Sequence, residues 1–369
     1  MVEGGHLPRL AERREVGEEA EEAVVVAAVR RLSLRVSFVS VDADSTPRRA
    51  RHPGACGAHR CATVRNDGGV DVYVIDGTYE LFRHFFGRPR SGGGRPGRDV
   101  PVGDVDAVRG VLWSLVPMLA RGVRYMGVAT DRVIESFRND LWPGYKSSAG
   151  IEPALLAQFP LLEDAIEAIG LKLWPMVELE ADDALASAAA VAADDGAVER
   201  VYICTPDKDL SQCVRGQRVV ALDRRMGTIR DEDGVRERFG VSPESIPDWL
   251  ALVGDSSDGF PGLAGWGEKG SAAVLRHYLH LEAIPEAARD WDDSVRRSVR
   301  GPDRLAATLS EGREHAYLFR VLATLRVDRA LLADVDELRW RGPRPEFAEL
   351  CRRLGDEELA ERVSSLRPG

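Results

Sequence analysis

The amino-acid sequence predicts an α/β domain, a parallel sheet covered by helices, followed by a mostly helical region. Three observations carry that expectation. From Val70 onward, short β-rich runs alternate with longer segments of helical period, as successive β-α-β crossovers require. Acids fall after the first four of those runs. After Asp223 the strand signals fade, and the rest reads as helical to about Val363.

Taken in order, strands are expected at Val72 to Ile75, Arg124 to Ala129, Leu171 to Trp174, Arg200 to Thr205 and Arg218 to Leu222. Helices are expected at Asp104 to Arg121, Ala154 to Ile169 and Ala181 to Ala193, with a glycine-rich loop at Ser91 to Gly97. Residues 1–69 are charged, then Arg-rich and Gly/Pro-rich, and are expected to be a disordered extension with one helix-compatible run at Glu18 to Arg31. The α/β domain then occupies 70–240 and the helical region 241–369. His52, Cys56, His59 and Cys61 are metal-type ligands, but their spacing fits no zinc pattern. Five cysteines at irregular spacing suggest reduced thiols. No run approaches the roughly 18 apolar residues of a membrane span, and the N-terminus lacks a secretory layout, so a cytoplasmic protein is expected. The formal net charge of −10 argues against a phosphate-binding surface, unless many of the acids hold cations that invert the local field.

In open α/β sheets ligands bind beyond the carboxyl ends of the strands. Asp76 follows the first strand and Asp131 the second; Glu180, Asp182 and Asp183 open the helix after the third; Asp207 and Asp209 follow the fourth. Each could be an ordinary helix cap. Caps do not require an acid after every strand, however. Converging carboxylates repel unless a cation neutralises them, and an all-oxygen set without Cys or His suits Mg²⁺ or Mn²⁺. Two such ions about 4 Å apart can activate a water and polarise a phosphodiester, which makes phosphodiester hydrolysis the natural reaction class.

Leu252 to Ser271 reads as a helix, a glycine-rich turn and a second helix. Gly262, Gly265 and Gly267 would let backbone N–H groups approach a phosphate at the second helix's N-terminus, with Lys269 beside them. The spacing matches helix-hairpin-helix elements that grip duplex backbone. Asp255 and Asp258 precede that grip.

Tyr73-Val74-Ile75-Asp76-Gly77, Ser136-Phe137-Arg138, Tyr145-Lys146, Glu180-Ala181-Asp182-Asp183, Thr205-Pro206-Asp207-Lys208-Asp209-Leu210 and Gly254-Asp255-Ser256-Ser257-Asp258 occur in this order. In that order they resemble the bacterial and phage 5′-3′ exonuclease and flap endonuclease family, which includes the N-terminal nuclease domain of bacterial DNA polymerase I. The resemblance covers Val70 to at least Leu281. It implies a PIN-like, Rossmann-like core, a helical arch and a helix-hairpin-helix region that typically holds K⁺. It also implies two divalent metals, the first served by Asp76, Asp131, Glu180, Asp182 and Asp183, the second by Asp207, Asp209, Asp255 and Asp258. Lys146 and Arg138 would stabilise phosphoryl charge, and Arg83, Lys208 and Lys269 would contact DNA. Ala149, Gly259, Trp266 and Gly270 depart from residues frequent in the family. The implied partner is DNA with 5′ flaps, nicks or branches, including RNA primers on DNA, and the implied form is a stand-alone, nucleoid-associated monomer. Two rivals differ from this reading: an RNA-cleaving PIN-like nuclease, disfavoured by the long hairpin module, and a DNA-binding protein with a decayed site, disfavoured by the intact acid set.

Overall fold

The structure, a computed structural model, describes residues 69–87 and 105–368. The expected disorder, the run at Glu18 to Arg31, the His/Cys group at 52–61 and the loop at 91–97 lie outside the described residues. The α/β part comprises β1 (Val70–Asp76), α1 (Gly77–Phe86), α2 (Asp106–Ala120), β2 (Tyr125–Asp131), α3 (Phe137–Leu141), α4 (Pro153–Leu156), α5 (Gln158–Ala168), β3 (Lys172–Met176), α6 (Ala181–Asp194), β4 (Val198–Cys204), β5 (Val219–Asp223) and β6 (Thr228–Arg230). There follow α7 (Glu232–Phe239), α8 (Ile246–Val253), α9 (Glu268–Tyr278), α10 (Asp293–Ser298), α11 (Pro302–Glu311), α12 (Arg313–Ala323), α13 (Phe347–Arg353) and α14 (Glu357–Ser364).

The sheet order is β3-β2-β1-β4-β5-β6, parallel except for β6. All five expected strands are present. β6 escaped the sequence because three residues carry no measurable period. The helix expected over Ala154 to Ile169 is broken at Ala157, where Pro160, lacking an N–H, belongs to the first turn of α5. β1 lies near the middle of the sheet, and Val72, Val74 and Ile75 are fully buried between helices on both faces. α1, α2 and α5 cover one face through Leu81, Leu112, Leu115 and Ile166. On the other face the alanines of α6 (Ala184, Ala188, Ala189, Ala192) let the helix lie close to the strands. From β1 the chain winds outward to β2 and β3, then returns to place β4 on β1's other side. The carboxyl ends of β1 and β4 therefore flank a switch point where a ligand crevice forms.

α7 to α12 enclose a separate core around Trp249, Phe260, Trp266, Trp291 and Phe319. The helical expectation fails over 324–346. There Asp328 and Asp334 accept the N–H groups of Ala330 and Asp336 at 2.9 and 2.7 Å, turns that compete with helix. The chain then comes back to the α/β part. Trp340 donates its backbone N–H to Arg124 O and its Nε1–H to Ile169 O (2.6 and 2.8 Å), and Phe347, Leu350, Leu359 and Val363 pack into the core beside α2 and α5. No helix among the described residues is long and apolar enough to cross a membrane.

Candidate metal centre

Asp76 closes β1 and caps α1, its Oδ1 accepting the Tyr79 N–H at 2.7 Å, while Oδ2 accepts the Thr205 hydroxyl beyond β4 at 2.9 Å. Asp131 closes β2 and accepts the Ala181 N–H at the start of α6 at 2.7 Å. Capping and convergence thus coexist. Burial pushes Asp76 up to about 7, with Asp131 and Asp207 adding repulsion against the Tyr79 and Thr205 hydrogen bonds. Asp182 stands well above the usual carboxylate range, through burial first and then Asp207, Asp76 and Asp131. These four carboxylates form one mutually repelling group at the switch point.

A second group adjoins it. Asp209, Asp255 and Asp258 each offer an oxygen, all within 4.8 Å of one another. Burial, then Asp207, Asp255 and Asp258, raises Asp209 well above its ordinary value; burial and Asp255 hold Asp258 up at about 7 against the pull of Lys146. The Asp209 Oδ1 is buried and has no hydrogen-bond partner. An orphaned carboxylate oxygen beside two further carboxylates is a donor set suited to a hard divalent cation. Asp255 and Asp258 reach this place on a tight loop closed by hydrogen bonds between the backbones of Asp255 and Phe260 (2.8 and 3.0 Å).

Between the groups stands Glu180, with Lys146 Nζ 2.5 Å from Oε2 and 3.6 Å from Asp258 Oδ1. Burial would raise Glu180, but Lys146 and Arg138 outweigh it and hold the carboxyl at about 2. Tyr145, also buried, directs its hydroxyl to Glu180 and Asp258 (3.4 and 3.3 Å), and Ser136 Oγ donates to Glu180 at 2.6 Å. The segment that carries Tyr145 and Lys146 contains two short helices, α3 and α4, and is held down by Lys146 N–H on Asp258 O and Trp142 Nε1–H on Gly259 O (3.1 and 3.0 Å). Gly259, at φ 81°, explains one departure from the family pattern: a Cβ there would sit 1.9 Å from Gly144 O.

Several of the expected site residues have partners within the protein. Arg138 is 1% exposed, and its N–H groups go to Leu322 O, Glu180, Asp183 and Thr324 O, leaving none for a phosphate. Asp183 is fully buried; its oxygens accept from Arg138, from Glu180 N–H (3.0 Å) and from Arg326 N–H (2.8 Å). Lys208 is paired with Asp255 and Arg83 with Glu80. Gly262 lies close against the end of α8, where a Cβ would meet Gly254 N at 2.4 Å. Gly265, Gly267 and Lys269 are exposed at the hairpin. Sequence reasoning gave no role to Thr205, although it precedes the Pro-Asp-Lys-Asp run, and none to Gln212, whose Nε2 bridges Asp209 O and Ala323 O.

Residues 71–240 match the N-terminal resolvase-like domain of 5′-3′ exonucleases, and residues 241–346 match their C-terminal SAM fold. The chain is 33% identical over 285 residues to DNA polymerase I of Pseudomonas aeruginosa; the match covers 74% of this chain and 29% of that protein, so the chain spans under a third of that relative's length. It is 34% identical over 213 residues to the flap endonuclease Xni of Edwardsiella ictaluri, covering 58% of this chain and 79% of that one. In fold it is similar to the bacteriophage T5 D15 flap endonuclease in a complex with DNA and metal ions, at 18% identity and a TM-score of 0.52 over 79% of this chain and 99% of that one. Two contiguous domain matches, and a flap endonuclease relative covered over most of its length, place this chain in the 5′-3′ exonuclease and flap endonuclease family.

Proposed function

We propose that this chain hydrolyses DNA phosphodiesters at 5′ ends and 5′-flap junctions with two divalent cations, Mg²⁺ or Mn²⁺. The observation that carries this reading is the orphaned, buried Asp209 Oδ1 within a carboxylate cluster at the switch point. Asp76, Asp131, Glu180 and Asp182 would hold one cation, and Asp207, Asp209, Asp255 and Asp258 the other. Bound there, such ions acidify a water and polarise the scissile phosphate. Lys146, 24% exposed, keeps its ammonium at the rim of the acids, where it can donate to a phosphate oxygen as charge develops. Arg138 and Asp183 act through Glu180 as positioning residues. Beyond the site, the exposed hairpin turn would hold duplex backbone. Ser271 Oγ, buried in α9 without a partner, is the side-chain oxygen that fits K⁺ there. Nicked, branched and RNA-primed DNA, cleaved by a monomer in the cytoplasm at the nucleoid, completes the reading. Incubating the protein with 5′-labelled flap, nicked and blunt duplexes in Mg²⁺ or Mn²⁺, and sizing the products, tests it. Short 5′ products that vanish in EDTA are expected, and metal-independent or absent cleavage of all three substrates would overturn it.

A further inference from the structure

Two departures from the family pattern, Trp266 and Gly270, meet at one place. The Trp266 side chain is buried against Trp291, and its Nε1–H donates to Leu305 O in α11 at 3.2 Å. A methyl group in place of the hydrogen of Gly270 would reach Leu305 Cδ1 at 4.0 Å, and one on Gly265 would reach Arg304 Nε at the same distance. The hairpin turn and the first turn of α11 are therefore docked on each other. Arg304 is exposed alongside Gly265, and Gly267 opens on free space. Neither Arg304 nor Lys269 forms an ion pair among the described residues, unlike the guanidiniums of Arg138, Arg224 and Arg320. Glu268 and Asp303, in the first turns of α9 and α11, are exposed and do not pair with them.

We propose that the backbone grip of this chain has a second limb: Arg304, brought to the hairpin by Trp266, binds a duplex phosphate next to the one held at Gly265 to Lys269. This rests on the reading of the hairpin as a duplex-binding element. A guanidinium placed beside a glycine turn offers two parallel N–H groups to a phosphate, where Lys269 offers a point charge.

The test measures affinity for a nicked duplex in Ca²⁺ over a salt series. Each lost phosphate contact lowers the slope of log K against log salt by about one. Arg304→Ala and Lys269→Ala should each show that loss, the double variant about twice it, and Arg304→Lys should keep the wild-type slope. Unchanged melting temperatures would show that the variants are folded. A wild-type slope in Arg304→Ala alongside a reduced slope in Lys269→Ala overturns the second limb and leaves the hairpin reading standing. Absence of salt-dependent duplex binding by the wild-type protein overturns both.

Discussion

Arg138 and Asp183 form a two-point ion pair with almost no solvent access, Nη1 to Oδ2 at 2.9 Å and Nη2 to Oδ1 at 2.8 Å. Through Leu322 O and Thr324 O, the same guanidinium fastens the end of α12 to the acids. Removing it leaves Asp183 buried and uncompensated, which costs about 3–5 kcal/mol. Arg138→Ala should show that loss in urea unfolding. Arg138→Lys should recover only part of it, because a point charge cannot replace a planar fork. Full stability with slow turnover would return Arg138 to the substrate side.

Asp76 and Asp182 behave differently, because burial and neighbouring acids raise each above the ordinary carboxylate range. Asp76→Asn and Asp182→Asn should abolish Mg²⁺-dependent cleavage by orders of magnitude while raising the melting temperature in EDTA. Either variant cleaving at the wild-type rate would contradict their role as ligands.

Stability without divalent cations should fall as pH rises from about 4 to about 7. Over that window the folded chain keeps protons on Asp76 and Asp258, whose values near 7 lie above the ordinary 3.8, while the unfolded chain releases them. Glu180, held at about 2, loses its stabilising contribution only at far lower pH. Addition of Ca²⁺ or Mn²⁺ should therefore raise the melting temperature more at pH 8 than at pH 5, as differential scanning fluorimetry would show. An equal gain at both values would mean that the carboxylates carry no raised values in the free protein.

Lys146 is paired with Glu180 and Asp258 and keeps its side chain 24% exposed. Its loss should reduce single-turnover cleavage by about 10²- to 10³-fold, the typical cost of a preorganised charge acting in the transition state. Duplex affinity in Ca²⁺ should barely change. A silent Lys146→Ala would remove it from the chemistry.

The strands and their terminal acids were legible because both are local: a β-branched run and the acid after it lie within a few residues of each other. Arg138 was not. Its side-chain partners Leu322 and Thr324 lie more than 180 residues away, and nothing near Ser136-Phe137-Arg138 announces them. Gly259 was visible as a departure, yet its cause is the carbonyl of Gly144 across the fold. The pairing of Lys208 with Asp255 was hidden for the same reason, since a cation between two acids reads equally well as a phosphate contact. Trp340 falls within the run expected to be helical, and only the tertiary structure shows its indole bonded to Ile169 O.

The return of the chain at Trp340 has a consequence for ligand assembly. The helical region leaves the sheet after β6 and is fastened to it again by Trp340, Phe347 and Leu359, so it is a loop secured at both ends. Loop-closure entropy has already been spent at folding, and Asp255 and Asp258 are presented to the sheet acids at a high effective concentration. Truncation after Arg329 would remove that second tie and leave the presentation of Asp255 and Asp258 to the contacts of Arg138 with Leu322 O and Thr324 O.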